Sequence, residues 1–119
     1  YKAMKDGEID GSVEGLDALL ENGGYRIRGP FELNMLGYEL LGDGEVETAI
    51  AVFKLNVDRF PSDANAYDSL AEGYLTKGDR EEALKMYRKA LEVDPAFENS
   101  RRMLEQLTAG AERRGRVPE

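Results

Sequence analysis

Apolar residues recur every three or four positions between residues 31 and 107, which is the spacing of amphipathic helices. The spacing predicts helices over residues 31–41 and 45–58, a third that closes at Lys77, a fourth that opens at Asp79, and a fifth over about 96–108. Four short segments rich in glycine, proline or aspartate separate them. These breaks are residues 42–44, 60–63, 77–79 and 94–95.

The breaks also carry helix-start signals. Asp79 is followed three residues later by Glu82, which is a capping-box pattern with aspartate in place of serine or threonine. Ser62 or Asp63 is a candidate cap for the third helix. Asp94–Pro95 is expected to supply the N-cap and first-turn proline of the fifth helix.

The helical pattern repeats with a period of 34 residues. A fixed period of this length indicates a supersecondary unit that stacks on a copy of itself, because one unit cannot bury its apolar face alone. The matching pairs are Leu36 and Leu70, Gly37 and Ala71, Leu40 and Tyr74, Gly44 and Gly78, Ala49 and Ala83, Phe53 and Tyr87, and Pro61 and Pro95.

This period, with its order of large and small residues, resembles the tetratricopeptide repeat, over Pro30–Asp63 and Ala64–Phe97. The resemblance implies an all-α fold, an α-solenoid that winds as a right-handed superhelix of two helix hairpins. We expect an N-terminal segment (1–29) with a short helix at about 12–21, a capping helix (98–109) and a disordered tail (110–119).

Small residues are expected where the two helices of a repeat cross, at Gly37 and Ala49 and again at Ala71 and Ala83. One position departs from this pattern, since Asn56 stands in the first repeat where Ala90 stands in the second. A buried amide needs hydrogen-bond partners. We expect Asn56 to bond the start of the following repeat, near residues 67–68.

Composition excludes most catalytic chemistry. The chain has no histidine and no cysteine, so it lacks the usual general base near neutral pH, a thiolate nucleophile and the commonest metal ligands. We therefore expect no enzyme activity and no cofactor. The net charge of −8 argues against nucleic acid and anionic membranes as partners, and no apolar run is long enough to cross a bilayer. The compartment is left open, with the cytoplasm favoured.

In the resembled family, peptide ligands lie along the concave face made by the first helix of each repeat. The resemblance implies a protein or peptide partner, whereas the alternative is an ordinary solvated surface. Asp68 and Glu72 would repel a carboxylate, so a neutral or basic partner is expected. The expected partner-binding residues are Asn34, Tyr38, Leu41, Asn65, Asp68, Glu72, Leu75, Asn99 and Arg102, with Phe31 and Gln106 on the same face.

Residues 6–17 (DGEIDGSVEGLD) resemble a calcium-binding loop of the EF-hand type. A glycine occupies the sixth position, but the third ligand is longer and the twelfth shorter than usual. The alternative is that Asp10 or Ser12 caps the helix at 12–21, which packs on the first repeat. The candidate calcium ligands are Asp6, Glu8, Asp10, Ser12 and Asp17.

The amino-acid sequence of the repeats, such as LNMLGYELL at 33–41, is also similar to that of repeats that follow bacterial serine hydrolase domains. Because the chain opens on Tyr1, we interpret it as a piece of a longer protein. Three function hypotheses follow: a protein–protein interaction scaffold, a structural tail of such a hydrolase, and a calcium-responsive module. Two repeats are few for a stable stack, so the flanking helices must complete the core of a monomer, or a weak homodimer forms.

Overall fold

The computed structural model describes the backbone of residues 29–115 and the side chains of residues 29–109. Within that part of the chain there are five helices and no strand, so the predicted all-α class is confirmed. The predicted helix at 12–21 and the candidate calcium loop at 6–17 lie outside the described residues. The helices are α1 (Pro30–Gly42), α2 (Val46–Arg59), α3 (Ala64–Lys77), α4 (Arg80–Val93) and α5 (Glu98–Gly115).

Each helix packs against the next one along the chain, and α1 also contacts α3. This arrangement is that of two successive helix hairpins, α1–α2 and α3–α4, followed by α5. The first helices of the hairpins form one layer with α5, whose side chains bond to α3. The second helices, α2 and α4, flank the other side of α3.

The core follows the period of 34 residues. Phe53 and Tyr87, which are 34 residues apart, are almost fully buried at 0% and 1% exposure. Small residues let neighbouring helices approach these buried rings. A Cβ added at Gly37, for example, would lie 2.2 Å from the Phe53 ring. Ala49 and Ala83 are also completely buried, as expected of residues at close helix crossings.

The turns between paired helices repeat as well. Gly44 and Gly78 have φ angles of 83° and 95°, a left-handed conformation that is strained for residues with a Cβ. At the start of α4 the predicted cap is present, since the Asp79 carboxylate accepts a hydrogen bond from the Glu82 N–H at 3.3 Å. Asp63 occupies the N-cap position of α3, but its side chain accepts no capping hydrogen bond.

The start and end of α5 differ from the prediction. The helix begins at Glu98, and Asp94 instead stabilises the preceding turn by accepting a hydrogen bond from the Ala96 N–H at 3.1 Å. Asp94 is therefore not the N-cap of this helix. The helix then runs to Gly115, beyond the predicted end of the capping helix at residue 109.

The expectation for Asn56 is also wrong. Its side-chain amide donates a hydrogen bond at 3.0 Å to the carbonyl of Pro30, at the start of its own repeat. Asn56 is completely buried, and its side-chain oxygen has no partner among the described residues. The amide therefore ties the end of α2 to the beginning of α1 in place of joining the two repeats.

Candidate functional site

The predicted partner-binding residues come from the layer of α1, α3 and α5. Their helical spacing places them on one face of each helix, which we call the concave strip. Side chains of the strip differ in accessibility: Asn65, Glu72, Asn99 and Arg102 are exposed, whereas Leu41 and Leu75 are half-buried. Phe31, one turn before Asn34 on α1, is 68% exposed.

Asp68 is buried and is already engaged within the molecule. Its carboxylate accepts hydrogen bonds from the Asn99 amide at 2.8 and 2.9 Å and from the Ser100 hydroxyl at 2.7 Å. With only 5% of its surface exposed, Asp68 cannot serve as the open contact residue that the sequence predicted. Three hydrogen bonds to a buried carboxylate instead fix α5 against α3.

Two further hydrogen bonds join α1 to α3. The Tyr38 hydroxyl donates to the Glu72 carboxylate at 2.5 Å, and the Ser69 hydroxyl donates to the Asn34 side-chain oxygen. Asn34 and Tyr38 were predicted to contact a partner, yet both contact the next repeat in this structure. The strip is thus a chain of polar contacts between successive first helices, with Glu72 still exposed at its centre.

The electrostatics of the strip are negative. Burial, with the hydrogen bond to Glu72, raises the pKa of Tyr38 well above its usual value. Burial also raises the pKa of Tyr87, with Asp68 and Glu72 adding to the effect. Among the described residues, no lysine or arginine forms an ion pair with Asp68 or Glu72. The centre of the strip therefore favours an incoming cation.

Tyr38 also has a packing role. Its ring meets the Phe53 ring edge-on, with centroids 5.2 Å apart and an interplanar angle of 67°. Such pairs stabilise a core beyond the area they bury. Truncating Tyr38 would therefore disturb the core as well as the strip.

Sequence reasoning missed the role of Ser100, which is completely buried beside Asp68. The signal was present in the period: Ser100 lies 34 residues after Ala66, so it belongs to the face of α5 that meets α3. The Ser100 hydroxyl is a hydrogen-bond donor on that face, and it complements the Asp68 carboxylate, which lies two residues after Ala66. Period and donor–acceptor chemistry together could have found this contact.

The described part of the chain holds no cluster of three or more acidic side chains suited to a metal ion. None of its helices combines the length and apolar character needed to span a bilayer. What the strip offers instead is an exposed aromatic ring, exposed amides and an exposed carboxylate that pairs with no cation among the described residues. These groups are suited to contacts with another protein or a peptide.

Comparison with known proteins supports this description. Residues 64–97, which include all of α3 and α4, match the family model described as Tetratricopeptide repeat. The match covers the second of the two predicted repeats, and the all-helical architecture of the described residues agrees with it. No curated protein matches the chain. The narrower resemblance to regions that follow serine hydrolase domains gains no support from these comparisons.

Proposed function

We propose that this protein is a non-catalytic scaffold that binds a protein or peptide along the concave strip. Tetratricopeptide repeats generally mediate protein–protein interaction, and residues 64–97 match that family. The single observation that carries the finer proposal is the exposed Glu72 carboxylate at the centre of the strip, which accepts a hydrogen bond from Tyr38 but pairs with no cation among the described residues. It is accessible to a partner, whereas the neighbouring Asp68 is buried.

The chemistry of the strip specifies the partner further. Glu72, reinforced by the negative charge of buried Asp68, favours a lysine or arginine side chain. Phe31 offers an exposed ring one turn before Asn34, on the same helix face as Tyr38. A ring that is 68% exposed can cover the apolar stem of such a side chain or contact an apolar neighbour. The proposed ligand is therefore a basic segment with an adjacent apolar residue.

The test begins with site-specific photocrosslinking. A photoreactive amino acid at exposed Asn65 should capture a partner from host lysate, and the same amino acid at Glu92 on α4 reports background. The captured protein is then purified and its binding measured with Phe31→Ser and Glu72→Lys variants. Glu92→Lys is the matched charge control, because Glu92 is exposed on a helix outside the strip.

Asp68→Lys is unsuitable for this test, because it would bury a positive charge among the hydrogen-bond donors of Asn99 and Ser100. We expect binding to fall about tenfold with Glu72→Lys and to be unchanged with Glu92→Lys. Equal binding by wild type and both strip variants would refute the proposal. Circular dichroism on each variant excludes loss of fold as the cause.

Two alternatives from the sequence remain predictions. A structural tail of a larger hydrolase would give no captured partner, and the coding sequence before Tyr1 would contain a serine hydrolase motif. A calcium-responsive module would give a melting temperature that rises with calcium in wild type but not in Asp6→Ala. Both results are distinguishable from loss of binding at the strip.

A further inference from the structure

A second recess lies on the other side of the molecule, between α2 and α4 and above α3. It encloses about 250 Å³ and is turned away from the concave strip, since it uses the opposite face of α3. We call it the convex cleft. Its lining residues are Lys54, Val57, Tyr67, Leu70, Tyr74, Met86 and Lys89.

The cleft combines an apolar floor with two positive charges. Val57, Leu70 and Met86 supply the apolar surface, and Lys54 and Lys89 approach from α2 and α4 respectively. The Lys54 ammonium lies 5.9 Å from the centroid of the Tyr74 ring, so the ring holds this cation beside the cleft. The volume suits one or two peptide side chains and is small for an extended ligand.

Neither lysine of the cleft is neutralised by a carboxylate among the described residues. Lys77, Lys85 and Arg101 each pair with a glutamate within 4 Å. Within the described part of the chain, neither Lys54 nor Lys89 forms such a pair. Two unpaired cations line one apolar recess in a chain whose net charge is −8.

We propose that the convex cleft is a second docking surface, which takes an acidic segment of a partner protein. One aromatic or aliphatic side chain of the segment enters between Tyr67 and Met86, and flanking carboxylates pair with Lys54 and Lys89. Charge complementarity selects this occupant, because the basic segment proposed for the concave strip would be repelled here. The scaffold can then hold two partners of opposite charge on opposite faces.

The probe is a labelled peptide with one phenylalanine flanked on each side by two glutamates, and its matched control has glutamine in place of every glutamate. Binding is measured by fluorescence anisotropy at low and high salt. The Lys54→Gln/Lys89→Gln variant tests the cleft. Lys77→Gln/Lys85→Gln makes the same charge change at exposed lysines that do not line it. All four side chains are exposed, so these variants should fold, and circular dichroism checks this.

We expect the acidic peptide to bind about tenfold more weakly to Lys54→Gln/Lys89→Gln than to wild type, with the control variant unchanged. Glu72→Lys should not weaken binding of the acidic peptide, which separates this surface from the concave strip. A Lys54→Glu/Lys89→Glu variant should in turn prefer a peptide with lysines in place of the glutamates.

Three results would overturn the proposal. The first is equal affinity for the glutamate and glutamine peptides, including absence of binding by both. The second is equal weakening by the two lysine-to-glutamine variants, which would indicate attraction to the whole surface. The third is concentration-dependent dimerisation that requires Lys54 and Lys89, measured by analytical ultracentrifugation, which would make a second copy the occupant.

Discussion

The contact between Gly37 and Phe53 offers a sharp test of how the first hairpin is packed. A Cβ at Gly37 would lie 2.2, 2.6 and 2.7 Å from three atoms of the Phe53 ring. Ordinary contacts begin near 3.4 Å, so the ring would have to move by roughly 1 Å. Phe53 is completely buried and meets Tyr38 edge-on, and thus has little room to yield.

Two opposing effects decide how much Gly37→Ala changes the free energy of unfolding. Alanine improves helix propensity by about 1 kcal/mol over glycine in the middle of a helix. Overpacking a rigid core costs about 1–3 kcal/mol, and this contact lies at the upper end because three ring atoms are involved. We therefore expect the free energy of unfolding to fall by about 2 kcal/mol, which corresponds to a melting temperature about 8 °C lower.

The assay is urea and thermal unfolding followed by circular dichroism, with two matched glycines as controls. Gly42→Ala, at the end of the same helix, meets nothing within 4 Å and should leave stability unchanged or raise it by up to about 1 kcal/mol. Gly73→Ala places a Cβ 3.1 Å from Ile50 and 3.2 Å from Phe53, so its effect should fall between the other two.

A double variant tests the proposed cause. If the clash is with the Phe53 ring, Gly37→Ala should lower the free energy of unfolding less in a Phe53→Leu background than in wild type. The difference should be about 1 kcal/mol or more. A Gly37→Ala variant as stable as Gly42→Ala would refute the reasoning about close helix approach. Additive effects of Gly37→Ala and Phe53→Leu would refute the assignment of the clash to Phe53.

Three further predictions follow from the contacts of α5 and the buried phenols. Ser100→Ala should lower the free energy of unfolding by about 2 kcal/mol in urea titrations, since it removes a donor from a buried carboxylate. Thr108→Ala, whose hydroxyl bonds only to α5 itself, should cost clearly less, and equal losses would contradict the role of Ser100. Truncation after Ala96 removes all of α5 and should abolish the cooperative melt, whereas a retained cooperative transition would show that α5 is dispensable. The contribution of Tyr38 and Tyr87 to stability should be level below about pH 9 and fall as the pH rises above about 10, because the unfolded chain loses tyrosine protons there while Tyr38 and Tyr87 in the folded chain keep theirs. Absorbance of the phenolate should show two late-titrating tyrosines, and Tyr87→Phe should reduce the slope of stability against pH.

Much of the fold was predictable because the relevant signals are local. Apolar spacing predicted α1 and α2 to within one residue at each end. The cap at Asp79 was predicted correctly, since it needs only a side chain and an N–H three residues later. The cap at Asp94 was predicted wrongly, because an aspartate before a proline fits a tight turn as well as a helix start, and nothing local distinguishes the two.

For the candidate site, the sequence could predict only which residues share one face of the helices. The family resemblance predicted that Asp68 and Asn99 share one face, but it could not show that these two side chains bond to each other. Their pairing depends on how closely α5 approaches α3, which is set by packing between residues about 30 positions apart. The same limit hid the convex cleft, whose two lysines come from different repeats.

The sequence by itself thus determined the helices, the period and the absence of histidine and cysteine, because each is a property of neighbouring residues or of composition. Only the tertiary structure decided which polar groups are occupied and which are open. Asp68 is satisfied by donors on α5, whereas Glu72, one turn further along α3, remains exposed. Burial and hydrogen bonding are properties of the packed helices, and no single segment contains them.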